Sequence, residues 1–501
     1  MDSLEADDQL TVVNRSTEYR ISKQLIRKIP YFEKMLNLDL MESKENKVEL
    51  DFDEQALESI LNWLEFDHFF IELKNVINLC TMTDYFGMGN NLINDCATYF
   101  HDKFSIKHLP VVIPQVTPTS RCINSGVLNA FICRHFLKLA GTKFWLNYPI
   151  ETIEYICALD LMVHSEMQVF NAIMKWVNFK TNSRKDYFER LLKLVGWCHL
   201  DAKHLSEIKE NFKPLHCTPA KCNGDCPLYR INQHYFVLVE TLTGTDLQIK
   251  VLDRNFMSFI KKVIKLDASM PLHLLHDEHV SDIVFDSGRQ MIRVDWIHNK
   301  YRLLDLNGYK SHYYKIRECI LEKKDGVCNA LGKTTDYYSS KGSLFDVNGK
   351  FVLTAGKGNT LCYWLAPTDK NIEESYCNSG CSYLATVLDN NIYTMKTNIE
   401  LIQFNIDSQK TKKFTLKGRS NFGDLILTSK PAYDDKVFLI DKSKNFVDCF
   451  NVNDEEWSPV GLMANYCSSI GNQNKSNKLL AFTSAFLCKD IIRSCINHEC
   501  K

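Results

Sequence analysis

Metal ligation is the first chemistry that the residue types of this chain suggest. The stretch "HCTPAKCNGDC" brings together His216, Cys217, Cys222 and Cys226, and thiolates and imidazoles are good zinc ligands. Zinc knuckles pair ligands two to four residues apart and then repeat the pair. No matching second pair follows, so the stretch reads as a boundary loop with free thiols. The tail "CKDIIRSCINHECK", with Cys488, Cys495, His498 and Cys500, reads the same way. "GVCNALGKTT" ends in Gly332-Lys333-Thr334 like a phosphate-binding loop, but Gly326 stands one residue too far away and "TTDYYSSKG" does not start a helix. Such a loop must cradle phosphate on amides at fixed spacing, between a strand and a helix. "FDSG" (Phe285 to Gly288) reads as a β-turn rather than half of an acid protease. No Ser/His/Asp or Cys/His set has usable spacing. The expectation is no catalytic residue, no cofactor, no metal and no enzyme.

What remains is binding chemistry. In "YFEKMLNLDLMESKENKVEL" an apolar helical pattern runs to Leu36, and Leu38, Leu40 and Met41 follow just as the acidic residues begin. Apolar side chains at such a turn either fold back on their own core or wait for a partner.

The chain of 501 residues is too long for a typical single core and implies two to four domains. Its 45% hydrophobic and 24% charged content is that of a folded protein. A formal net charge of -1 gives no global field to attract nucleic acid or an acidic membrane. The pairs Lys261-Lys262, Lys323-Lys324 and Lys412-Lys413 read as solvated faces. "MDSLEADDQL" is acidic and is not a signal peptide. No run approaches the roughly 18 apolar residues of a membrane span. The 19 cysteines are scattered through apolar segments, which fits free thiols in a reducing compartment, cytosol or nucleus. The cytoplasm is the expected location.

Residues 8–104 read as a small α/β unit. Strands are expected at "LTVV", around Tyr19 and Ile21, and at "KVEL". Helical spacing joins Leu25, Ile26, Ile29, Phe32, Met35 and Leu36, and Asp53 can cap a helix bearing Ala56, Leu57, Ile60, Leu61 and Leu64. Two further short helices fit "NVINLCTMTDYF" and "LINDCATYFHDKF". Residues 128–212 read as helical throughout. In "SEMQVFNAIMKWV", Ser165 and Gln168 form a capping box ahead of the stripe Val169, Phe170, Ile173, Met174 and Val177. "RKDYFERLLKLVGW" repeats the design. After Phe212 comes a turn-rich linker.

From Tyr235 onward short β-branched runs dominate. "NKYRLLDLNG", "GKFVLTAGKG", "NNIYTMKTN" and "DKVFLIDKSK" share a pattern of polar turn, aromatic, apolar strand and polar turn. The aromatics are Tyr301, Phe351, Tyr393 and Phe438. Their spacing, about 42–50 residues, is near the length of a propeller blade, and about 270 residues allow about six blades. A single blade cannot bury both faces of its sheet, whereas a ring of them can.

This order of parts resembles the BTB–BACK–kelch family. The front is similar to a BTB (POZ) domain through Asp8, Thr11 and Val13, then Tyr19, Ile21, Lys23, Leu25, Pro30, Tyr31, Phe32, Met35 and Leu36, then Glu42, Ser43 and Val48. Met88, Leu92, Cys96 and Phe100 resemble its closing stretch. The middle is similar to BACK through Phe131, Ile132, Phe136, Glu166, Val169, Phe170, Trp176, Val177, Arg184, Leu191, Leu192 and Val195. The kelch likeness rests on architecture and on the aromatic–Trp spacing of Phe450 and Trp457, with no double glycine in any blade. The expected fold is multidomain: an α/β BTB domain at 1–104, an all-α BACK domain at 105–212, a linker at 213–228 and an all-β propeller with degenerate kelch repeats at 229–501.

The resemblance implies a ubiquitin ligase adaptor for protein binding and ubiquitination. BTB would form a homodimer and hold cullin-3, and the propeller would present an unknown protein substrate. The alternative is a dimeric scaffold for a cytoskeletal or regulatory partner that binds no cullin. The family's hydrophobic-x-Glu cullin turn falls on Leu40, Met41 and Glu42, and Asp8 and Lys23 match charged positions near its dimer interface. Two departures stand out. Gly196 occupies a BACK position where the family usually has Arg. Pro110, Pro114 and Pro118 fall where the family has a helical pair that also touches cullin. An interior proline costs a helix about 3 kcal/mol or more, so that part of the footprint is expected to be remodelled or lost.

Overall fold

The computed structural model describes residues 8–38, 41–200, 202–211, 230, 233–242, 244–253, 256–288, 290–305, 343–347, 350–357, 360–366, 370–374, 383–397, 400–415, 421–429, 435–444, 446–462 and 478–499. The chain falls into two compact units, Met1–Phe131 and Ile132–Lys501. The expected phosphate-loop residues and the His216–Cys226 cluster lie outside the described residues.

In the first unit, β1 (Gln9–Asn14) alternates and buries Leu10, Val12 and Asn14 on one face, the two-residue period of a half-buried strand. It pairs antiparallel with β2 (Thr17–Ser22) and parallel with β3 (Lys47–Leu50), giving the sheet order β2-β1-β3. The helical pattern expected from Leu25 to Leu36 splits into α1 (Lys23–Ile26) and α2 (Pro30–Asn37). Pro30 explains the break, because it lacks the N–H needed inside a helix but fits a first turn. A short α3 (Met41–Glu45) precedes β3, followed by α4 (Glu54–Phe66), α5 (Val76–Tyr85) and α6 (Asn90–Lys103). Asp53 caps α4 as expected, its carboxylate accepting from Ala56 N at 3.0 Å. Buried Asn14 clamps the strand end to the entry of α4, accepting from Phe52 N at 2.8 Å and donating to Phe52 O at 3.0 Å.

Residues 106–115 of the proline-bearing stretch form three short helical turns, whereas Pro118 lies in a non-helical turn. Ile106–His108 forms a 3-10 turn, α7 spans Leu109–Val112, and Ile113–Gln115 is a second 3-10 turn. Pro110 and Pro114 occupy the opening positions of their turns, where a missing N–H costs nothing. Gln115 fastens the stretch by donating to Leu73 O at 2.9 Å and Val111 O at 2.7 Å.

The all-α region comprises α8 (Ser125–Gly141), α9 (Lys143–Asn147), α10 (Ile150–Ala158), α11 (Glu166–Phe179), α12 (Thr181–Arg184), α13 (Phe188–Leu192) and α14 (Ala202–Asn211). The capping box at α11 is formed by Ser165 and Gln168. Val169, Phe170, Ile173 and Val177 are buried as expected, while Met174 is only half-buried. The Trp145 indole donates to Ala172 O at 2.9 Å and the Trp176 indole to Tyr148 O at 3.0 Å. Arg184 lies over the Trp176 ring, 3.9 Å from its centroid, a cation–π pairing.

The rest of the second unit is a β-propeller. A first blade is built of β4 (His234–Thr241), β5 (Leu247–Leu252) and β6 (Ser258–Leu266), and a second of β7 (Val280–Phe285), β8 (Gln290–Asp295) and β9 (Lys300–Asp305). Three four-stranded blades follow: β10 (Ser343–Val347) to β13 (Lys370–Glu374) with β11 (Lys350–Lys357) and β12 (Thr360–Ala366); β14 (Tyr383–Leu388) to β17 (Thr411–Thr415) with β15 (Asn391–Lys396) and β16 (Glu400–Asn405); and β18 (Leu425–Ser429) to β21 (Glu456–Leu462) with β19 (Lys436–Asp441) and β20 (Phe446–Asn451). The described residues thus hold five blades, and residues 306–342, between the second and third, lie outside them.

The last strand, β22 (Lys478–Phe486), pairs antiparallel with β4 and becomes the fourth strand of the first blade. This closes the ring between its two ends. Helix α15 (Lys489–Glu499) follows. Both faces of β4 are buried: Phe236 and Leu238 pack with Phe438 and Ile440 of the fifth blade, while Val237 and Val239 pack with Ile283 and Val294 of the second. That explains the unbroken apolar run "YFVLV", since stacked blades leave no wet face. Phe351, Tyr393 and Phe438 sit on the second strand of their blades, as the repeat implies, but Tyr301 sits on the third strand of its blade. The expected β-turn at Phe285–Gly288 is present, with Gly288 N donating to Phe285 O at 3.1 Å.

Candidate functional site

Helix α2 buries Phe32 and Met35 and ends at Asn37, after which Leu38 is extended and exposed. The chain re-enters helix at Met41, which is 71% exposed, and Glu42 beside it is exposed too. Leu40 lies outside the described residues. The Ser43 hydroxyl donates to Leu38 O at 2.8 Å and so ties the two sides of the turn together. Arg27 Nη1 donates to Asn37 Oδ1 at 2.9 Å, bracing the end of α2. Tyr31 lies behind, with its ring 5.3 Å from that of half-exposed Tyr85. Burial, the Tyr85 hydroxyl and the Glu42 carboxylate together push the Tyr31 phenol up to about 12. The result is an apolar knob beside a carboxylate. This arrangement can fill a groove and accept hydrogen bonds.

Asp8 is exposed just before β1, and Lys23 is half-buried at the start of α1. The β1–β2 register pairs Gln9 with Ser22, so the two charges stand one step beyond that pair at the same end of the hairpin. Asp8 thus adjoins the β1 end and Lys23 the β2 end of that first pair.

Of the tail residues, Cys495 is buried in the cluster between the first two blades, and burial pushes the half-buried Cys488 thiol up. Cys500 and the side chain of His498 lie outside the described residues.

Two charge clusters join residues whose pairing the sequence did not signal. Glu166 and Arg230 are both fully buried, with Arg230 Nη1 3.2 Å from Glu166 Oε2. Arg230 also donates to Leu159 O at 2.9 Å and Leu194 O at 3.1 Å, and to Cys157 O. Gly196 N donates to the same Glu166 oxygen at 2.9 Å. A Cβ at Gly196 would stand 3.0 Å from Glu166 Cδ, so a side chain there would collide with the carboxylate. Gly196 thus leaves room for the carboxylate that Arg230 holds.

In the second cluster, Arg134 donates to His276 Nδ1 and to His276 O, each at 2.5 Å, and to Val280 O at 2.9 Å. Arg293 holds Asp282 through Nε at 2.8 Å and Nη2 at 3.0 Å, and Asp282 Oδ2 lies 3.3 Å from His276 Nε2. Burial, reinforced by Arg134, pushes His276 down to about 3. Arg134 itself falls to about 10, chiefly through burial.

The model of the family "BACK: BTB And C-terminal Kelch" matches residues 125–210. Kelch-like protein 17 of Mus musculus and that of Rattus norvegicus are each 25% identical over 171 residues, covering 33% of this chain and 26% of the relative. The match thus spans about a quarter of those relatives' length. Among solved structures, a nidogen/laminin complex aligns at 10% identity over 51% of this chain and 100% of that chain, at a TM-score of 0.29, too low to carry an argument. The BACK match and the kelch-like relatives support a BTB–BACK–kelch protein, and the α/β front, helical middle and propeller end stand in the order of that family, with blades that lack the kelch double glycine.

Proposed function

We propose that this protein is a cytoplasmic, non-enzymatic substrate adaptor of a cullin-3-RING ubiquitin ligase. The observation that carries the reading is the turn in which Met41 is 71% exposed beside exposed Glu42. An apolar side chain held in water by a braced turn gains free energy when a partner covers it. In this reading Leu40 and Met41 fill a groove on cullin-3, and the Glu42 carboxylate fixes their orientation through hydrogen bonds. The helical turns at residues 106–115 support it, because Leu109 and Val112 are buried while Val111 remains 44% exposed on the opposite side. Asp8 and Lys23, at one end of the β1–β2 hairpin, serve the homodimer. Neither nucleic acid nor a membrane has a part. Among the described residues no helix is long and apolar enough to cross a membrane.

The work of such an adaptor is positioning. A substrate gripped by the propeller and a ligase held at the front share one molecule, and effective concentration replaces catalytic groups. Co-purification of the full chain with cullin-3 tests this. Wild type is expected to retain cullin-3, and Leu40→Asp with Glu42→Ala is expected to lose it while remaining dimeric. Wild type that fails to bind cullin-3 at micromolar concentration would favour the dimeric scaffold for a cytoskeletal or regulatory partner.

A further inference from the structure

The second blade carries a cluster that adaptor function does not use. His279 precedes β7, Asp295 ends β8, and His298 lies in the turn between β8 and β9. One ligand atom from each lies within 4.8 Å of the other two, and among the described residues no other group of three such donors gathers as closely. His298 Nδ1 is 2.8 Å and His279 Nε2 3.8 Å from the same oxygen, Asp295 Oδ2.

The other carboxylate oxygen is already committed. Asp295 Oδ1 accepts from Ile297 N at 3.0 Å and His298 N at 2.9 Å, which fixes the carboxylate and aims Oδ2 at both imidazoles. The backbone frame is equally fixed: Trp296 N donates to His279 O at 3.0 Å, and the buried Trp296 indole donates to Ser281 Oγ at 3.1 Å. The nearby cations are engaged elsewhere, Lys262 with Trp296 O at 2.8 Å and Lys300 with Asp267 Oδ2 at 2.8 Å.

We propose that His279, Asp295 and His298 form a binding site for a divalent transition cation of the zinc type. Two imidazoles and one carboxylate are the donor set that such ions take, and backbone bonds to the second carboxylate oxygen are the outer support that metal ligands usually have. Tetrahedral bonds of about 2.0–2.2 Å place ligand atoms roughly 3.3–3.5 Å apart. The two imidazole–carboxylate separations of 2.8 and 3.8 Å reach that spacing through movements of about half an ångström, and the third pair, the two imidazole nitrogens, starts within 4.8 Å. The His298 side chain is 61% exposed, so water completes the fourth position. The ion would staple the segment entering the second blade to its β8–β9 turn.

The test titrates Co2+ into the metal-free full chain and follows its visible spectrum. Weak d–d bands without thiolate-to-cobalt charge transfer are expected, displaced by Zn2+. His298→Ala should weaken binding at least tenfold, and His279→Ala with His298→Ala should abolish those bands, with far-ultraviolet circular dichroism unchanged. Because His298 is exposed, the single variant tests the site without endangering the fold. Bands that are absent from wild type, unchanged in both variants, or carried by thiolate charge transfer alone would overturn the proposal.

Discussion

Glu42 and Glu166 both stand in the first turn of a helix, α3 and α11, and their surroundings are opposite. Glu166 is fully buried, gripped by Arg230 and Gly196 N. Glu42 is exposed next to a bare methionine. A buried charge must be matched on the spot, because desolvation costs several kcal/mol and removing one partner leaves the whole penalty unpaid. An exposed charge is already solvated, so its partner can come from another molecule. The same residue type therefore reports assembly of the chain in one place and, in the proposed function, readiness for a partner in the other.

The largest expected effect breaks the buried side of this pairing. Arg230→Met leaves Glu166 dry and unmatched and should destabilise the second unit by about 3–5 kcal/mol, read as a lower urea midpoint. Glu42→Ala should shift that midpoint by no more than about 0.5 kcal/mol. Equal losses from the two changes would remove the distinction. On the exposed side, Leu40→Asp with Glu42→Ala should weaken cullin-3 binding by at least about 2 kcal/mol, roughly thirtyfold, measured by calorimetry.

Proton concentration gives a further handle on the buried side. His276 is held down to about 3 by burial and by Arg134, against an ordinary value of about 6.5. The folded state thus favours neutral imidazole. Its contribution is complete above pH 6.5 and is lost as pH falls toward 3. Stability at pH 5 should be about 2 kcal/mol below that at pH 6.5 from this group alone. His276→Gln, which keeps an acceptor for Arg134 and a donor for Asp282, should flatten that slope in urea titrations at the two pH values. The smallest effect sharpens the contrast in the front unit. Asp53→Ala removes the cap on α4 and should cost about 1 kcal/mol, seen as a lower melting temperature with cullin-3 affinity unchanged.

The sequence made plain what depends on near neighbours. Asp53, Ser165 and Gln168 do their capping within three residues, and the alternation of Leu10, Val12 and Asn14 is visible in β1. Long-range closure was not legible. Nothing in "KLLAFTSAF" says that it pairs with "HYFVLVET" at the far end of the ring, because strand pairing depends on the whole topology. Arg230 carried no signal either: it is a lone arginine after a turn-rich stretch, and only the folded chain brings it to Glu166. The repeat pattern placed three aromatics on equivalent strands and Tyr301 one strand late, since a polar-aromatic-apolar pattern fits any blade strand. The placing of Pro110 and Pro114 was not legible for a physical reason, as proline breaks a helix interior but opens a helix well, and residue type alone does not tell which applies. The family likeness proposed the candidate site, whereas the exposure of Met41 and its bracing by Ser43 required the fold.

The central claim is that the front unit pairs with itself and holds a ligase scaffold through the Met41 turn. Light scattering coupled to size-exclusion chromatography, on the full chain with and without the cullin-3 N-terminal region, tests it most directly. The expected masses are a dimer alone and a dimer carrying one cullin-3 per protomer at micromolar concentration, with Leu40→Asp and Glu42→Ala together leaving only the dimer. A monomer, a wild-type dimer whose mass does not change when cullin-3 is added, or a variant that binds as wild type does would contradict the account.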